Sequence, residues 1–314
     1  MGNVMTVTGP IGSDDLGFTS IHEHLFLDLT RDNRTYDAIL NDPELAYREL
    51  MLFKNSGGVS LVDQTTGGLR GHDHDLLPVT HALAVRDMAE RTGLNIILGA
   101  GWYREVYYEK KLYRMRTNQI ADELIRDVTV GIDGTNVRAG ILGEIGAHYT
   151  WISPVEERMF RAVARAHKQT GVTVATHATW SAVGLHQLDI LQEEGVDPTR
   201  VIIGHCQSYP HHEYHAEIAR RGAYVAFDRL GTVNSYEHEL DLVHVKKMID
   251  AGLTRSVLFG QDVCRRSDYK TYGGKGYGYL PSGFLQELRD IGIKDEDLTQ
   301  ITVHNPRRAL TGED

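Results

Sequence analysis

The chain has 314 residues, 41% of them apolar and 24% charged, a globular mixture that excludes wholesale disorder and collagen-like repeats. With 33 basic against 43 acidic residues it carries a net charge of −10, which disfavours a nucleic-acid partner because an acidic surface repels a polyphosphate backbone. Two cysteines cannot staple a chain of this length and fit a reducing, cytoplasmic compartment. A mean hydropathy of −0.32 and the lack of any apolar run of about 18 residues argue against a membrane span, and the first residues hold no secretory signal.

Short apolar runs rich in Val and Ile recur along the chain, each followed by a stretch of helical spacing. They cover residues 17–27, 58–65, 95–101, 139–145, 173–177, 201–205, 224–227 and 256–259. Continuous apolar runs beside glycine suit buried parallel strands. Between the fourth and fifth, Ser153, Pro154 and Glu156 make a capping box with proline in the first turn, and Gly171 stands where that helix should stop. Asn305 and Pro306 repeat the start signal for a last helix. Eight strands alternating with helices, with no linker between them, predict one α/β domain over residues 1–314, a (β/α)8 TIM barrel. A doubly wound open sheet is the alternative, but no glycine-rich phosphate loop follows the first strand.

Barrel chemistry sits where strands end. The first run ends on His22, Glu23 and His24; spacing of two puts both imidazoles on one face. The fourth ends at Glu144, the fifth at His177, the sixth at His205, and the eighth leads into Asp262. Four histidines and two carboxylates on one rim are the donor set of a two-metal site. Zinc suits it best, with manganese, cobalt or iron also possible. Two cations close together hold a hydroxide between them and lower its pKa. Each histidine alone is equally a hydrogen-bonded core residue; the joint placement argues for metal.

The segments IHEHLFLD, THATW, VIIGHC, AFDRLG, GQDV and HNPRRAL resemble the phosphotriesterase-related branch of the amidohydrolase superfamily, from about Gly9 to the end. The resemblance implies a barrel with a binuclear centre, in which His22, His24 and Asp262 hold one metal and His177 and His205 the other. The bridging lysine of phosphotriesterases is absent from AGILGEIG, and Glu144 stands in, as in the phosphotriesterase homology proteins. Aligned on its first residues, that strand would place the lysine position at Gly143. Glu144 therefore reaches the centre only if the strand carries a bulge or a shifted register, since a slip of one residue reverses the face. Ser208 replaces an acidic residue that relays protons in phosphotriesterases.

On this reading Trp102, Tyr103 and Arg229 occupy substrate-facing positions of the lactonases, and Arg265 and Arg266 would suit an anionic substrate end; rim packing or pairing with Asp268 is the alternative. Residues 271–280, rich in Gly and Tyr, form either a mobile entrance loop or a fixed, tyrosine-packed one. A second pair, His72 and His74, reads as a loop, and His211, His212 and His215 as a solvated group. Cys206 and Cys264 read as small buried residues.

The expected activity is metal-dependent hydrolysis of a lactone or carboxyl ester by a bridging hydroxide, with Asp262 as the proton carrier. A small N-acyl amide with an anionic end is the nearest alternative, and organophosphate cleavage a side activity. A mononuclear deaminase on the same barrel and a non-catalytic metal-containing binding protein remain open. The expected partners are a small-molecule substrate and, from the resemblance alone, a second copy in a homodimer.

Overall fold

A computed structural model of the chain describes residues 2–70, 76–231 and 235–313. Eight parallel strands follow one another around a barrel: β1 (Thr19–Glu23), β2 (Ser60–Asp63), β3 (Asn95–Ala100), β4 (Ile141–Gly146), β5 (Val174–His177), β6 (Val201–Gly204), β7 (Tyr224–Phe227) and β8 (Val257–Phe259). Each lies within its apolar run except β4, which continues one residue past its run to Gly146. Closure comes just beyond β8, where the backbone N–H groups of Gln261 and Asp262 donate to the carbonyl of His22 at 3.3 and 3.0 Å.

Every strand sends at least one side chain into an inner cluster: Ile21, Val62, Ile97, Ile141, Ala175, Ile202, Ala226 with Tyr224, and Leu258. The barrel is thus a packed core with chemistry only at its rim. Val4 of an N-terminal hairpin (Asn3–Thr6 with Gly9–Gly12) and Leu310 of the last helix join this cluster. The hairpin had no sequence signal: its strands are four residues long and the second opens on Gly9 and Pro10.

Helices cover the outside, among them α1 (Pro43–Asn55), α2 (His81–Thr92), α3 (Thr117–Thr129), α4 (Pro154–Thr170), α5 (Val183–Glu193), α6 (His212–Arg220) and α7 (Ser235–Asp250). Helix α4 starts as its sequence dictates. Ser153 Oγ accepts from the Glu156 N–H, the Glu156 carboxylate accepts from the Ser153 N–H, and Gly171 ends the helix at φ 71°.

Strand β4 carries the irregularity that its sequence required. Leu142 pairs with Val174 and Ile145 with Thr176, so β4 takes three steps where β5 takes two. Leu142 and Ile145 both pack in the outer apolar layer. The extra residue between them turns Glu144 to the interior. Glycine is needed beside it, because a Cβ on Gly143 would come within 2.5 Å of the Ala175 carbonyl oxygen. Strand β1 is irregular between Ser20 and Glu23, next to its own site residues.

Candidate metal centre

Histidines from the ends of β1, β5 and β6 converge on the Glu144 carboxylate of β4, and Asp262, beyond β8, joins them through the β1 histidines. Glu144 Oε2 lies 3.0 Å from His177 Nδ1, 3.4 Å from His205 Nε2 and 3.5 Å from His22 Nε2; its Oε1 lies 3.5 Å from His24 Nε2. Asp262 Oδ1 adds contacts of 3.2 Å to His24 Nε2 and 3.8 Å to His22 Nε2. All six side chains are buried or nearly so.

A second layer of partners fixes the rings. Asp228, fully buried at the end of β7, gives one oxygen to His22 Nδ1 at 3.0 Å and the other to His205 Nδ1 at 2.9 Å. His24 Nδ1 lies 2.9 Å from the Thr65 hydroxyl, and His177 Nε2 lies 3.2 Å from the Tyr103 hydroxyl. Such contacts decide which ring nitrogen faces inward. His205 and Asp262 sit at φ 56° and 49°, left-handed values that cost non-glycine residues energy and cluster at working sites.

Electrostatics make the cluster hungry for cations. Burial works against the ionised form of Glu144, but His22 and His177 outweigh it and hold the carboxyl well below its ordinary range. Asp262 and Asp228 are also lowered against burial, by His24 and by His205 respectively as the leading opposing partners. Burial opposes charging of His24 and His205, yet the neighbouring carboxylates push them up to about 9 and about 10. His177 goes the other way, to about 4, through burial and the nearby His205. Three buried carboxylates demand positive charge.

The donors fit divalent metal. Two groups of three, His22 with His24 and Glu144, and Glu144 with His177 and His205, each bring their donor atoms within 4.8 Å of one another, and they share Glu144. His22 Nε2, buried and facing the cluster, has no hydrogen-bond partner among the described residues, as a nitrogen awaiting a metal would not.

The substrate-facing expectations divide. Arg229 Nε stands 3.4 Å from Asp262 Oδ2, with its side chain 36% exposed at the rim. Tyr103 is buried against His177, and Trp102 is buried, its indole N–H donating to Glu109. The Arg265 guanidinium donates to Asn33, and that of Arg266 to Asn41 and the Ile39 carbonyl, so both staple the segment after β8 to the one after β1. Asp268 accepts from the backbone N–H groups of Cys264 and Arg265. Residues 271–280 are fixed: the Tyr277 hydroxyl donates to the His24 carbonyl, and Gln261 ties Gly276 and Leu280. Ser208 donates to the His205 carbonyl.

Of two further readings, that of His215 is overturned and that of the cysteines holds. His215 is not solvated; it is fully buried against Phe227, with Nε2 donating to the Cys206 carbonyl, because α6 turns that face inward. Cys206 and Cys264 are buried thiols. His72 and His74 lie outside the described residues.

The phosphotriesterase family profile matches residues 2–310. The chain belongs to the phosphotriesterase family. It is 32% identical to the phosphotriesterase homology protein of Escherichia coli over 293 residues, 93% of this chain and 97% of that one. The crystal structure of that relative, complexed with phosphate in its active site, superimposes with a TM-score of 0.89 over 95% of this chain and 100% of that chain. An N-acetyltaurine hydrolase of Dictyostelium discoideum is 26% identical over 99% of this chain and 98% of its own length. The lactonase Lmo2620 of Listeria monocytogenes, 25% identical, gives a TM-score of 0.89 over 99% of this chain and 100% of its own. This phosphotriesterase-family protein is a hydrolytic enzyme of a metal-dependent family, with histidine and glutamate groups placed to hold metal. Among its described residues no helix is long and apolar enough to cross a membrane.

Proposed function

We propose that the enzyme is a binuclear metal-dependent hydrolase that cleaves a lactone or carboxyl ester. The observation that carries this reading is the sharing of Glu144 by two three-residue donor groups. His22, His24 and Asp262 would hold one ion, His177 and His205 the other, and Glu144 both. When bound, the ions, most simply zinc, supply a water of lowered pKa and polarise the substrate carbonyl.

The chain's own residues do the rest. Asp228 and Thr65 hold His22, His205 and His24 in one tautomer and orientation. Tyr103 does the same for His177: with Nδ1 facing Glu144, the Nε2–H donates to the Tyr103 oxygen. Asp262 takes the proton of the attacking water and delivers it to the leaving oxygen. Its Oδ2 faces the exposed Arg229, on the side open to substrate.

The same steps cleave a small N-acyl amide if the leaving nitrogen receives that proton. Arg229 favours this second reading, because a half-open guanidinium at the rim suits an anionic leaving amine. The N-acetyltaurine hydrolases, matched over nearly their full length, support it too. A small-molecule substrate, a cytoplasmic site of action and a homodimer complete the reading. The deciding experiment loads the protein with zinc, manganese or cobalt, counts metal per chain, and screens lactones, aryl esters and N-acyl amino acids or sulfonates. Two ions per chain and turnover of a lactone or ester support the first reading. One ion, with activity surviving Glu144→Ala, overturns it.

A further inference from the structure

A small cleft of about 20 Å³ opens beside Asp262, between the segment after β7 and the segment after β8. Two cations line it, Arg229 from the first and Lys275 from the second. Lys275 makes no ion pair among the described residues; its ammonium sits 3.9 Å from the centre of the Tyr279 ring, half-buried. Among the described residues Arg229 pairs with the Asp262 carboxylate, which the histidine cluster also claims, and Asp268 and Glu237 act on it from farther away.

Apart from Asp262, the acids around the cleft act on this pair only through space, Asp268 and Glu237 on Arg229 and Glu287 and Asp241 on Lys275, and make no ion pair with it among the described residues. Asp268 lines the cleft, but its Oδ2 accepts from the Cys264 and Arg265 N–H groups at 3.1 and 2.8 Å. Glu287 is engaged by His238 and the Tyr279 hydroxyl. Burial and the nearby Glu237 raise Asp241 to about 8, which leaves it mostly protonated at neutral pH. The position of Lys275 is also built in. The Gln261 side-chain amide donates to the Gly276 carbonyl at 2.8 Å and accepts from the Leu280 N–H at 3.1 Å. The residue that precedes Asp262 in the chain thus clamps the loop that carries Lys275.

We propose that Lys275 and Arg229 form the subsite for a singly charged anionic end of the substrate, a carboxylate or a sulfonate, next to the scissile bond. This rests on the hydrolase reading above and deepens it. An anion entering the cleft meets two donors, one a compact ammonium and the other a planar guanidinium, with no ion-paired carboxylate to displace from Lys275 among the described residues.

The test uses metal-loaded enzyme and three isosteric amides: N-acetyltaurine, N-acetyl-β-alanine and the neutral N-propylacetamide. Lys275→Met keeps the stem over Tyr279 and removes the charge. The ratio of kcat/KM for either anionic amide to that for the neutral one is expected to fall about tenfold, mostly through KM, and Lys275→Arg is expected to restore most of it. The larger effect identifies sulfonate or carboxylate as the preferred head group. An unchanged ratio in Lys275→Met overturns the subsite. Binding of 1-propanesulfonate and butyrate by calorimetry provides a readout independent of turnover. If the wild type cleaves none of the amides, lactones or esters, the hydrolase reading fails; the subsite still stands if these anions bind the wild type and lose about tenfold in affinity in Lys275→Met, and falls if they do not.

Discussion

Glu144 lies 3.0 Å from His177, a residue of the neighbouring strand, because β4 holds one more residue than β5 between their paired positions. That single extra residue converts an outward-facing position into the hub of the site. Glu144→Gln keeps the shape but removes the negative charge and one of the two acceptor oxygens. Metal content is expected to fall below two per chain and kcat by about a thousandfold or more. Elemental analysis of the purified variant, alongside turnover, checks this; a variant with full metal and full rate would remove Glu144 from the centre.

How legible this was depends on whether the signal was local. The eight strands could be read because buried parallel strands must be apolar on both faces, which leaves continuous Val and Ile runs such as 95–101. The histidines at the ends of β1, β5 and β6 could be read because a polar residue closing such a run is conspicuous. Asp228 could not. Its role exists only because β7 lies next to β6 and the barrel brings β1 across from both, and one aspartate before an arginine has no pattern of its own. Arg265 and Arg266 misled for the same reason: the asparagines and the carbonyl that use them lie more than 220 residues away in sequence. His215 shares a helix face with His211 by spacing, but spacing cannot say which face the barrel covers.

Asp228 accepts from two rings, His22 and His205, that the proposed function assigns to different metals. In Asp228→Asn the amide offers one acceptor oxygen and a donor group where both rings need acceptors. One imidazole must then turn or change tautomer. Metal affinity is expected to drop about 10- to 100-fold with the fold retained. Titration against a competing chelator measures the affinity, and circular dichroism checks the fold. Unchanged affinity would show that the two rings are held by packing alone.

Asp262 combines a contact to His24 at 3.2 Å with an oxygen turned to Arg229. Asp262→Asn retains a ligand oxygen but cannot carry a proton. We expect metal content near that of the wild type and a kcat lower by about 10²- to 10⁴-fold. Near-normal turnover would assign the proton to another group.

Removing metal should also unfold the site from within. The apo centre confines Glu144, Asp228 and Asp262 with protonated imidazoles and the rim guanidinium of Arg229 to balance them. Ligands that bind only the folded state stabilise it by about 3–4 kcal/mol at 100 to 1,000 times their Kd. Exhaustive chelation is therefore expected to abolish activity and lower Tm by several degrees, both restored by adding zinc, manganese or cobalt. Scanning calorimetry of the chelated and reloaded protein gives the comparison, and full activity after chelation would dismiss the metal reading.

His244 offers a test of acid stability away from the centre. Its ring is buried, lies roughly parallel to Phe227 and meets His215 edge-on, and neither ring nitrogen finds a partner among the described residues. Burial first, then His215, Lys247 and His212, bring it down to about 4; burial lowers His215 to about 4 as well. Between that value and the ordinary 6.5 the unfolded chain binds more protons than the folded one, so stability is full above pH 6.5 and is lost as pH falls through about 4. His244→Phe removes one of these groups and two unsatisfied polar atoms from an apolar setting. At pH 7 it is expected to lie within about 1 kcal/mol of the wild type or above it. Its Tm should then fall less steeply than that of the wild type from pH 7 to about pH 5. Parallel melting curves across that range decide the matter, and identical slopes would mean that His244 is already protonated, or solvated, in the folded protein.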